Sequence, residues 1–262
     1  MRGSTHLALA AALASAAPAA AQGIEVDLEL VLAVDISGSM DHREHTAQRQ
    51  GYVSAFRHPE VLQAIREGLT GRIAVSYVEW AGSVQAVVVP WTVIDGPGSA
   101  AAFAARLEEA PINEFSGTSI SGGLDFASQR FDESGVLGLR RVIDVSGDGP
   151  NNRGRPVLDA RADAIARGIT INGLPIVLGH AGGSLSTDLL DIYYEDCVIG
   201  GPGAFMIAVD DIDRLPEAIR RKLVLEIVGI EPRIMPADFE VREPRIDCLI
   251  GERLRGRWYL DP

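Results

Sequence analysis

From Leu28 to Val228 the chain alternates short apolar runs with longer segments in which apolar residues recur at helical spacing. The first run, LELVLAVD, is typical of a strand buried on both faces, and the HREHTAQRQGYVSAFRH segment after it is typical of a helix. Strand–helix alternation over about 200 residues predicts parallel strands joined by crossover helices. We therefore expect an α/β fold with a doubly wound, mostly parallel six-stranded sheet and helices on both faces.

One tight turn and one change of composition set the expected boundaries. RIAVSYVEWAG and VQAVVVPWTV flank Gly82 and Ser83, which favours a hairpin, so residues 84–93 are predicted to form one antiparallel edge strand. The sixth predicted strand is GAFMIAV, residues 203–209. After Gly229 prolines and charges dominate without clear periodicity. We assign residues 22–229 to the domain and 230–262 to a C-terminal extension that packs partly on it.

Residues 1–21 have the layout of a secretory signal peptide. Arg2 precedes a run of almost only Ala and Leu, which ends in small residues before Gln22. Pro18 and the shortness of the run argue against a membrane anchor, and no later segment is long and apolar enough to span a bilayer. We expect a secreted or periplasmic protein without a transmembrane segment after signal cleavage.

Charge and cysteine content restrict the partners of the chain. A formal net charge of -12 disfavours loose binding to nucleic acid or anionic lipid and favours cations nearby. The two cysteines, Cys197 and Cys248, can pair in an oxidising compartment. Two unpaired thiols are an equally open alternative at this point.

Hydroxyl and carboxylate side chains occur at three separate places that adjoin predicted strands or helix starts. Asp35, Ser37 and Ser39 follow the first strand, Asp148 follows a later strand, and Thr118 lies in a loop between two helices. In a doubly wound sheet, loops at the carboxyl ends of the central strands open on one crevice. Hard oxygen ligands of this kind suit Mg²⁺, Mn²⁺ or Ca²⁺. We predict that these five residues form a metal site with one position left for another ligand.

A simpler interpretation of the same residues is local. Ser and Asp are common in turns and as helix caps, so Ser39 can cap the first helix and Thr118 can cap another. The coincidence of three pieces on three suitable loops favours the metal site.

The segments DISGSM, SGTSISGGL and VSGDG resemble the metal-ion-dependent adhesion site of von Willebrand factor type A domains, and the resemblance spans about residues 25–229. It implies that Ser37 and Ser39 bind the metal directly, that Asp35 and Asp148 act through waters, and that Thr118 joins when ligand binds. In that family the last helix, here residues 211–228, moves with the metal loop. DGPNNRG and CVIGGPGAF are similar to a family of secreted bacterial A-domain proteins without assigned function.

The resemblance implies a protein-binding module in which an Asp or Glu of the partner completes the metal coordination. Two alternatives stay open: a Mg²⁺-dependent hydrolase on a similar sheet, and a structural module whose metal only stabilises the fold. Phosphatases with an aspartyl nucleophile place a second acid where this chain has Ser37, and the chain's only lysine, Lys222, lies in the last predicted helix. We therefore expect no enzymatic activity.

Several titratable and polar residues lie close to the predicted site in the sequence or inside predicted strands. We interpret His42 and His45 as a solvated helix face rather than transition-metal ligands. The Asn151–Arg153 segment is predicted either to line the rim of the site or to form a plain turn. Asp144 and Glu79 lie inside predicted strands, and buried carboxylates require partners. Arg140 or Arg141 could supply one, but the sequence does not show it. We interpret both carboxylates as structural.

Overall fold

The structure, a computed structural model, describes residues 23–178, 189–229 and 243–258. The predicted signal peptide lies outside these residues. Within them, no helix combines the length and apolar character needed to cross a membrane.

The strands of the described residues are β1 Ile24–Val26, β2 Leu28–Asp35, β3 Ile73–Trp80, β4 Gln85–Ile94, β5 Val136–Gly138, β6 Arg141–Gly147 and β7 Ile169–Pro175. Five of them form a sheet at the centre of the molecule, in the order β4-β3-β2-β6-β7. All its neighbouring pairs are parallel except β3 and β4, so β4 is the predicted antiparallel edge strand. A separate pair of short parallel strands, β1 and β5, was not predicted.

The prediction of six strands in this sheet was wrong, because GAFMIAV does not form a continuous ladder with β7. Gly173 donates to Phe205 O and Ile207 donates to Gly173 O, as in a parallel pair. The next bond of that pattern requires an N–H at residue 175, which is proline and has none. Pairing resumes at Val209, whose N–H donates to Pro175 O. The segment is therefore left with isolated bridges.

Helices cover both faces of the sheet, as predicted. The alternation of β2 explains why, since Leu28, Leu30 and Leu32 enter one apolar cluster while Val31 and Ala33 enter the other. The first cluster packs under α1 His42–Arg57, α2 Pro59–Arg66, α3 Pro97–Glu109 and α7 Leu215–Val228. The second packs under α4 Ile120–Arg130, α5 Val157–Ala166 and α6 Leu190–Tyr193, which continues as a π-helical turn, Tyr194–Val198. The last helix is α8 Ile250–Trp258.

Buried charges inside the first layer are paired across elements. Asp144 of β6 forms an ion pair with Lys222 of α7, not with Arg140 or Arg141, the two candidates that the sequence left open. Arg140 instead donates to the carbonyls of Glu226 and Ile227 near the end of α7. The reason is geometric, because Asp144 points from the middle of the sheet toward α7 while Arg140 lies before the strand begins.

Glu79 finds its partner in the same helical layer. The Arg49 guanidinium of α1 forms an ion pair with the Glu79 carboxylate, and both side chains are almost fully buried. Burial raises the pKa of Glu79, and the charge of Arg49 opposes that rise. Both sequence-predicted buried carboxylates therefore have structural roles.

The two cysteines form a disulfide, which decides between the alternatives left open by the sequence. Cys197 and Cys248 lie 51 residues apart in the chain, with their Cα atoms 5.6 Å apart. The bond joins the π-helical turn after α6 to the segment just before α8. Cys248, Ile246 and Ile250 pack on the second apolar cluster, so this part of the C-terminal extension contributes to the core.

Candidate metal centre

The carboxyl end of β2 holds the first part of the predicted site. Asp35 is fully buried and its Oδ1 accepts a hydrogen bond of 2.7 Å from the backbone N–H of Ser37. Such a bond from an Asp to the backbone two residues on closes a tight turn. The turn brings Ser37 and Ser39 to the same side, with their hydroxyl oxygens 3.0 Å apart.

Asp148 joins this loop from the neighbouring strand. Because β2 and β6 are adjacent and parallel, their carboxyl ends meet at one edge of the sheet. The Ser39 hydroxyl donates to Asp148 Oδ1 over 2.7 Å, although the two residues lie 109 positions apart in the chain. The two predicted carboxylates and two predicted serines are therefore brought together.

Thr118 reaches the same edge from the loop before α4. That loop is hydrogen-bonded to the Asp35 loop, because Phe115 donates to Ile36 O over 3.0 Å and Gly38 donates to Phe115 O over 2.9 Å. On the other side, the Thr118 N–H donates to Asn152 Oδ1 over 3.0 Å and the Thr118 carbonyl accepts from the Asn152 N–H over 2.9 Å. Thr118 thus lies between the two carboxylate-bearing loops and is buried.

The hydroxyls of Ser39 and Thr118 are not helix caps. The N-cap of α1 is Asp41, which exchanges hydrogen bonds with Glu44 in a capping box. The N-cap of α4 is Ser119, whose hydroxyl accepts from the Gly122 N–H over 3.1 Å. The local alternative therefore fails at both positions, and both hydroxyls remain available to the site.

Burial and a neighbouring charge disfavour the ionised form of the Asp35 carboxyl. Burial raises the pKa of Asp35 well above its ordinary value, the nearby charge of Asp148 raises it further, and the hydrogen bonds from Ser37 oppose this. Within the described residues, Asp35 Oδ2 is buried without a hydrogen-bond partner. Ionising a buried carboxyl near a second carboxylate is costly unless a cation is present.

Tyr194 is a neighbour of Asp35 that no sequence motif identifies. A Cβ built on Gly147 would lie 2.8 Å from Asp35 Oδ2 and 3.0 Å from the Tyr194 hydroxyl, so only glycine fits between them. Burial raises the pKa of Tyr194, and the charge of Asp35 raises it further, which keeps the phenol neutral. Its approach depends on the π-helical turn after α6, which no local motif predicts.

The donor set fits a hard divalent cation. Three hydroxyl and two carboxylate side chains lie on adjacent loops at this edge of the sheet. Asp35 is fully buried, whereas Ser39 is exposed. Such oxygens suit Mg²⁺, Mn²⁺ or Ca²⁺. Across the described ranges no three His, Cys, Asp or Glu side chains gather in a metal-binding arrangement, so an ion here would depend on the hydroxyls.

The interpretation of both histidines as a solvated helix face was wrong for His45. His42 is exposed, but His45 is only 4% exposed and faces the Ser37 backbone and Glu114. Burial lowers the pKa of His45, while Glu114 opposes the shift. The loop after Asp35 folds back over the first turn of α1, which the helical pattern alone does not reveal.

The Asn151–Arg153 segment is hydrogen-bonded to the loop that carries Thr118. Asn151 is fully buried and Asn152 holds Thr118, so these two residues are scaffold rather than a surface for a partner. Arg153 lies at the rim, where its side chain packs against Gly82 and Gly117. Within the described structure its buried Nε has no hydrogen-bond partner.

Comparisons with known proteins agree with this fold. A family model described as "Protein of unknown function (DUF1194)" matches residues 25–231. No curated protein matches the chain. Among solved structures, proximal thread matrix protein 1 from the mussel byssus has a TM-score of 0.58 at 13% identity, covering 79% of this chain and 49% of its own. Another structure of that protein has a zinc-occupied MIDAS motif. Its TM-score is 0.55 at 12% identity, and the match covers 79% of this chain and 50% of the other.

Two bacterial structures are similar in the same way. A von Willebrand factor type A protein from Catenulispora acidiphila has a TM-score of 0.54 at 17% identity, covering 77% of this chain and 43% of its own. The pilus adhesin SpaC from Lactobacillus rhamnosus GG has a TM-score of 0.57 at 15% identity, covering 79% and 31%. This chain spans half or less of the length of these proteins. The chain belongs to the DUF1194 family, a protein family of unknown function, and its fold is that of von Willebrand factor type A domains.

Proposed function

We propose that this protein is an exported module that binds a protein partner through a divalent metal ion, Mg²⁺ or alternatively Mn²⁺ or Ca²⁺. In this proposal the ion contacts the hydroxyls of Ser37 and Ser39 directly, while Asp35 and Asp148 supply negative charge through bridging waters. Thr118 joins when the partner binds. An Asp or Glu of the partner completes the coordination.

One observation carries the proposal: the Ser37 and Ser39 hydroxyls lie beside Asp148, with Thr118 on the adjoining loop, while other residues supply the neighbouring helix caps. If Ser39 and Thr118 had only a local role, they would be the N-caps of α1 and α4. The N-caps are instead Asp41 and Ser119. Among the described residues the buried Oδ2 of Asp35 has no hydrogen-bond partner, and burial raises the pKa of this carboxyl, so a bound cation would stabilise its ionised form.

The chemistry of the site favours an anionic ligand. Neutral hydroxyls donate little charge, so a bound divalent ion would remain a strong Lewis acid and attract a carboxylate oxygen. Phe115, 41% exposed, and Arg153 lie beside the site and supply an apolar and a cationic contact for an acidic partner. The partner is therefore proposed to present an acidic side chain from a protein surface, not a nucleic acid.

A binding role is favoured over hydrolysis. Ser37 occupies the position of the second acid of aspartyl phosphatases. The only lysine of the chain is buried between Asp144 and Glu226 in the core, away from the proposed site. The Cys197–Cys248 disulfide supports an oxidising compartment, in keeping with the predicted signal peptide and a secreted or periplasmic location.

Calorimetry on the periplasmically expressed protein tests the metal. We expect wild type to bind Mg²⁺ or Mn²⁺, and Asp148→Ala to lose binding while its circular dichroism is unchanged. Asp132→Ala is the matched control, because Asp132 is an exposed aspartate paired with Arg167 on another part of the surface. Equal binding by wild type and Asp148→Ala would contradict the site.

Capture from cell-envelope extract tests the partner. Immobilised wild type should retain a protein in Mg²⁺ and release it with chelator, and a peptide containing Asp or Glu should compete better than its Asn or Gln counterpart. If metal binds but no capture depends on it, the alternative of a purely stabilising metal is favoured.

A further inference from the structure

The N-terminal turn of α8 packs directly against the loop that follows Asp148. Gly251 is buried, and a Cβ at this position would overlap the carbonyl group of Asn151 and lie 3.2 Å from Pro150 Cγ. The helix backbone therefore sits on the loop backbone without an intervening side chain. The C-terminal extension therefore contacts Asn151, which follows the proposed metal-site residue Asp148 by three positions in the chain.

Asn151 is the junction between this loop, α4 and α8. Its Oδ1 accepts from the Ser121 N–H over 3.0 Å. Its Nδ2 donates to Glu252 Oε1 over 2.7 Å and to the Arg155 carbonyl over 3.2 Å. Both polar ends of a fully buried side chain are thus used, and one of the acceptors belongs to α8.

Asn152 extends the connection to Thr118. Its side chain and backbone bond the N–H and the carbonyl of Thr118, as described above. The Asn152 carbonyl in turn accepts from Arg255 Nη1 of α8 over 3.2 Å. Two residues of α8, Glu252 and Arg255, therefore contact the two asparagines that hold Thr118 and the start of α4.

The disulfide and an ion pair fix α8 in this position. Cys248 precedes the helix by two residues and is bonded to Cys197. The Tyr193 hydroxyl accepts from the Asn151 N–H over 3.2 Å and donates to the Cys248 carbonyl over 3.4 Å, which links the loop to the disulfide directly. Arg245 pairs with Asp196 over 2.7 Å beside Cys197.

We infer that α8, held by the Cys197–Cys248 disulfide, is a positioning element of the proposed metal centre and acts through Asn151 and Asn152 on Asp148 and Thr118. The inference rests on the proposed function. The loop from Asp148 to Arg153 contains no helix or strand. Its hydrogen bonds to neighbouring elements therefore determine the positions of Asp148 and Thr118. Outer partners of metal ligands commonly influence affinity in this way.

The test compares matched substitutions on α8. Glu252→Ala removes the acceptor of Asn151 Nδ2, while Glu252→Gln keeps a carbonyl oxygen at that place. Arg253→Ala is the control, because Arg253 is on the same helix but its exposed side chain pairs with Asp247. We expect Glu252→Ala to weaken Mg²⁺ binding about tenfold, the lower end of the effect of such outer partners, with Glu252→Gln and Arg253→Ala near wild type.

Amide hydrogen exchange of residues 117–122 supplies a readout that does not require metal. The Thr118 and Ser121 N–H groups donate to Asn152 and Asn151, so Glu252→Ala and the Cys197→Ser/Cys248→Ser pair should exchange faster there at temperatures where each remains folded. Arg253→Ala should not change this exchange.

The outcomes separate the two proposals. If wild type binds no divalent metal, the proposed function fails, and the exchange of residues 117–122 still decides whether α8 positions the loop. The inference is overturned if Glu252→Ala and the double serine variant have lower melting temperatures but keep wild-type metal affinity and wild-type amide exchange. In that case α8 only stabilises the fold.

Discussion

Lys222 holds two buried carboxylates, and its removal should have a large effect on stability. Its Nζ lies 2.5 Å from Asp144 Oδ1 and 2.5 Å from Glu226 Oε1, and the three side chains are at most 1% exposed. Lys222→Met keeps a long, unbranched, helix-forming side chain and removes the charge. Removing one partner of a buried pair costs about 3–5 kcal/mol, because the remaining charge is left buried without compensation.

That loss can be expressed as a melting temperature. In a domain of this size each kcal/mol moves the midpoint by about 2–4 °C, so Lys222→Met should melt about 6–20 °C below wild type. The change is large against the total stability of an ordinary domain, which is about 5–15 kcal/mol.

The loss of stability caused by Lys222→Met should also depend on pH. Burial, followed by the charge of Asp144, raises the pKa of Glu226 from its ordinary 4.5 to about 7. The folded state then keeps a proton that the unfolded state has released, so this group's contribution to stability falls as pH rises from about 4.5 to about 7. Without Lys222 both carboxyl pKa values rise further. Lys222→Met should therefore lose more stability at pH 8 than at pH 5.

Guanidinium unfolding followed by circular dichroism at both pH values measures the effect. Arg221→Met, an exposed change on the same helix, should stay within about 0.5 kcal/mol of wild type. The triple change Lys222→Met/Asp144→Asn/Glu226→Gln should recover much of the loss, since no buried charge remains. A Lys222→Met loss below about 1 kcal/mol at pH 8, or an equal loss at both pH values, would refute the reasoning.

Three further predictions concern the site and the disulfide. Asp35→Ala should abolish divalent binding in calorimetry, because Asp35 supplies part of the negative charge of the proposed site. The variant should still fold, because the apolar core does not depend on this carboxyl. Undiminished affinity would contradict the assignment. Thr118→Ala should keep most metal affinity and lose chelator-sensitive partner capture, and normal capture would show that Thr118 does not act as a switching ligand. Denatured periplasmic protein should show no reactive thiols. Replacing Cys197 and Cys248 with serine should lower the free energy of unfolding by about 4 kcal/mol, as expected for a closed loop of 51 residues; two thiols per wild-type chain would exclude the bond.

The sheet was largely predictable because its signals are local. Apolar runs such as LELVLAVD and the hairpin around Gly82 identify strands from neighbours in sequence, and parallel topology then places their carboxyl ends at one edge. The convergence of Ser39 with Asp148 follows from that topology. The exception, GAFMIAV, has a strand-like composition but lies opposite Pro175, and only the pairing shows that an N–H is missing there.

The sequence by itself determined the α/β class, the antiparallel edge strand and the candidate oxygen ligands at the ends of predicted strands, because backbone preference and hydrophobic period depend on residues a few positions apart. Tertiary structure decided which groups meet: Lys222 with Asp144, Tyr194 near Asp35, and Asn151 with α8. It also decided that Asp41 and Ser119, rather than Ser39 and Thr118, cap the helices. These outcomes depend on contacts between segments many tens of residues apart, and packing, not local pattern, selects among the available partners.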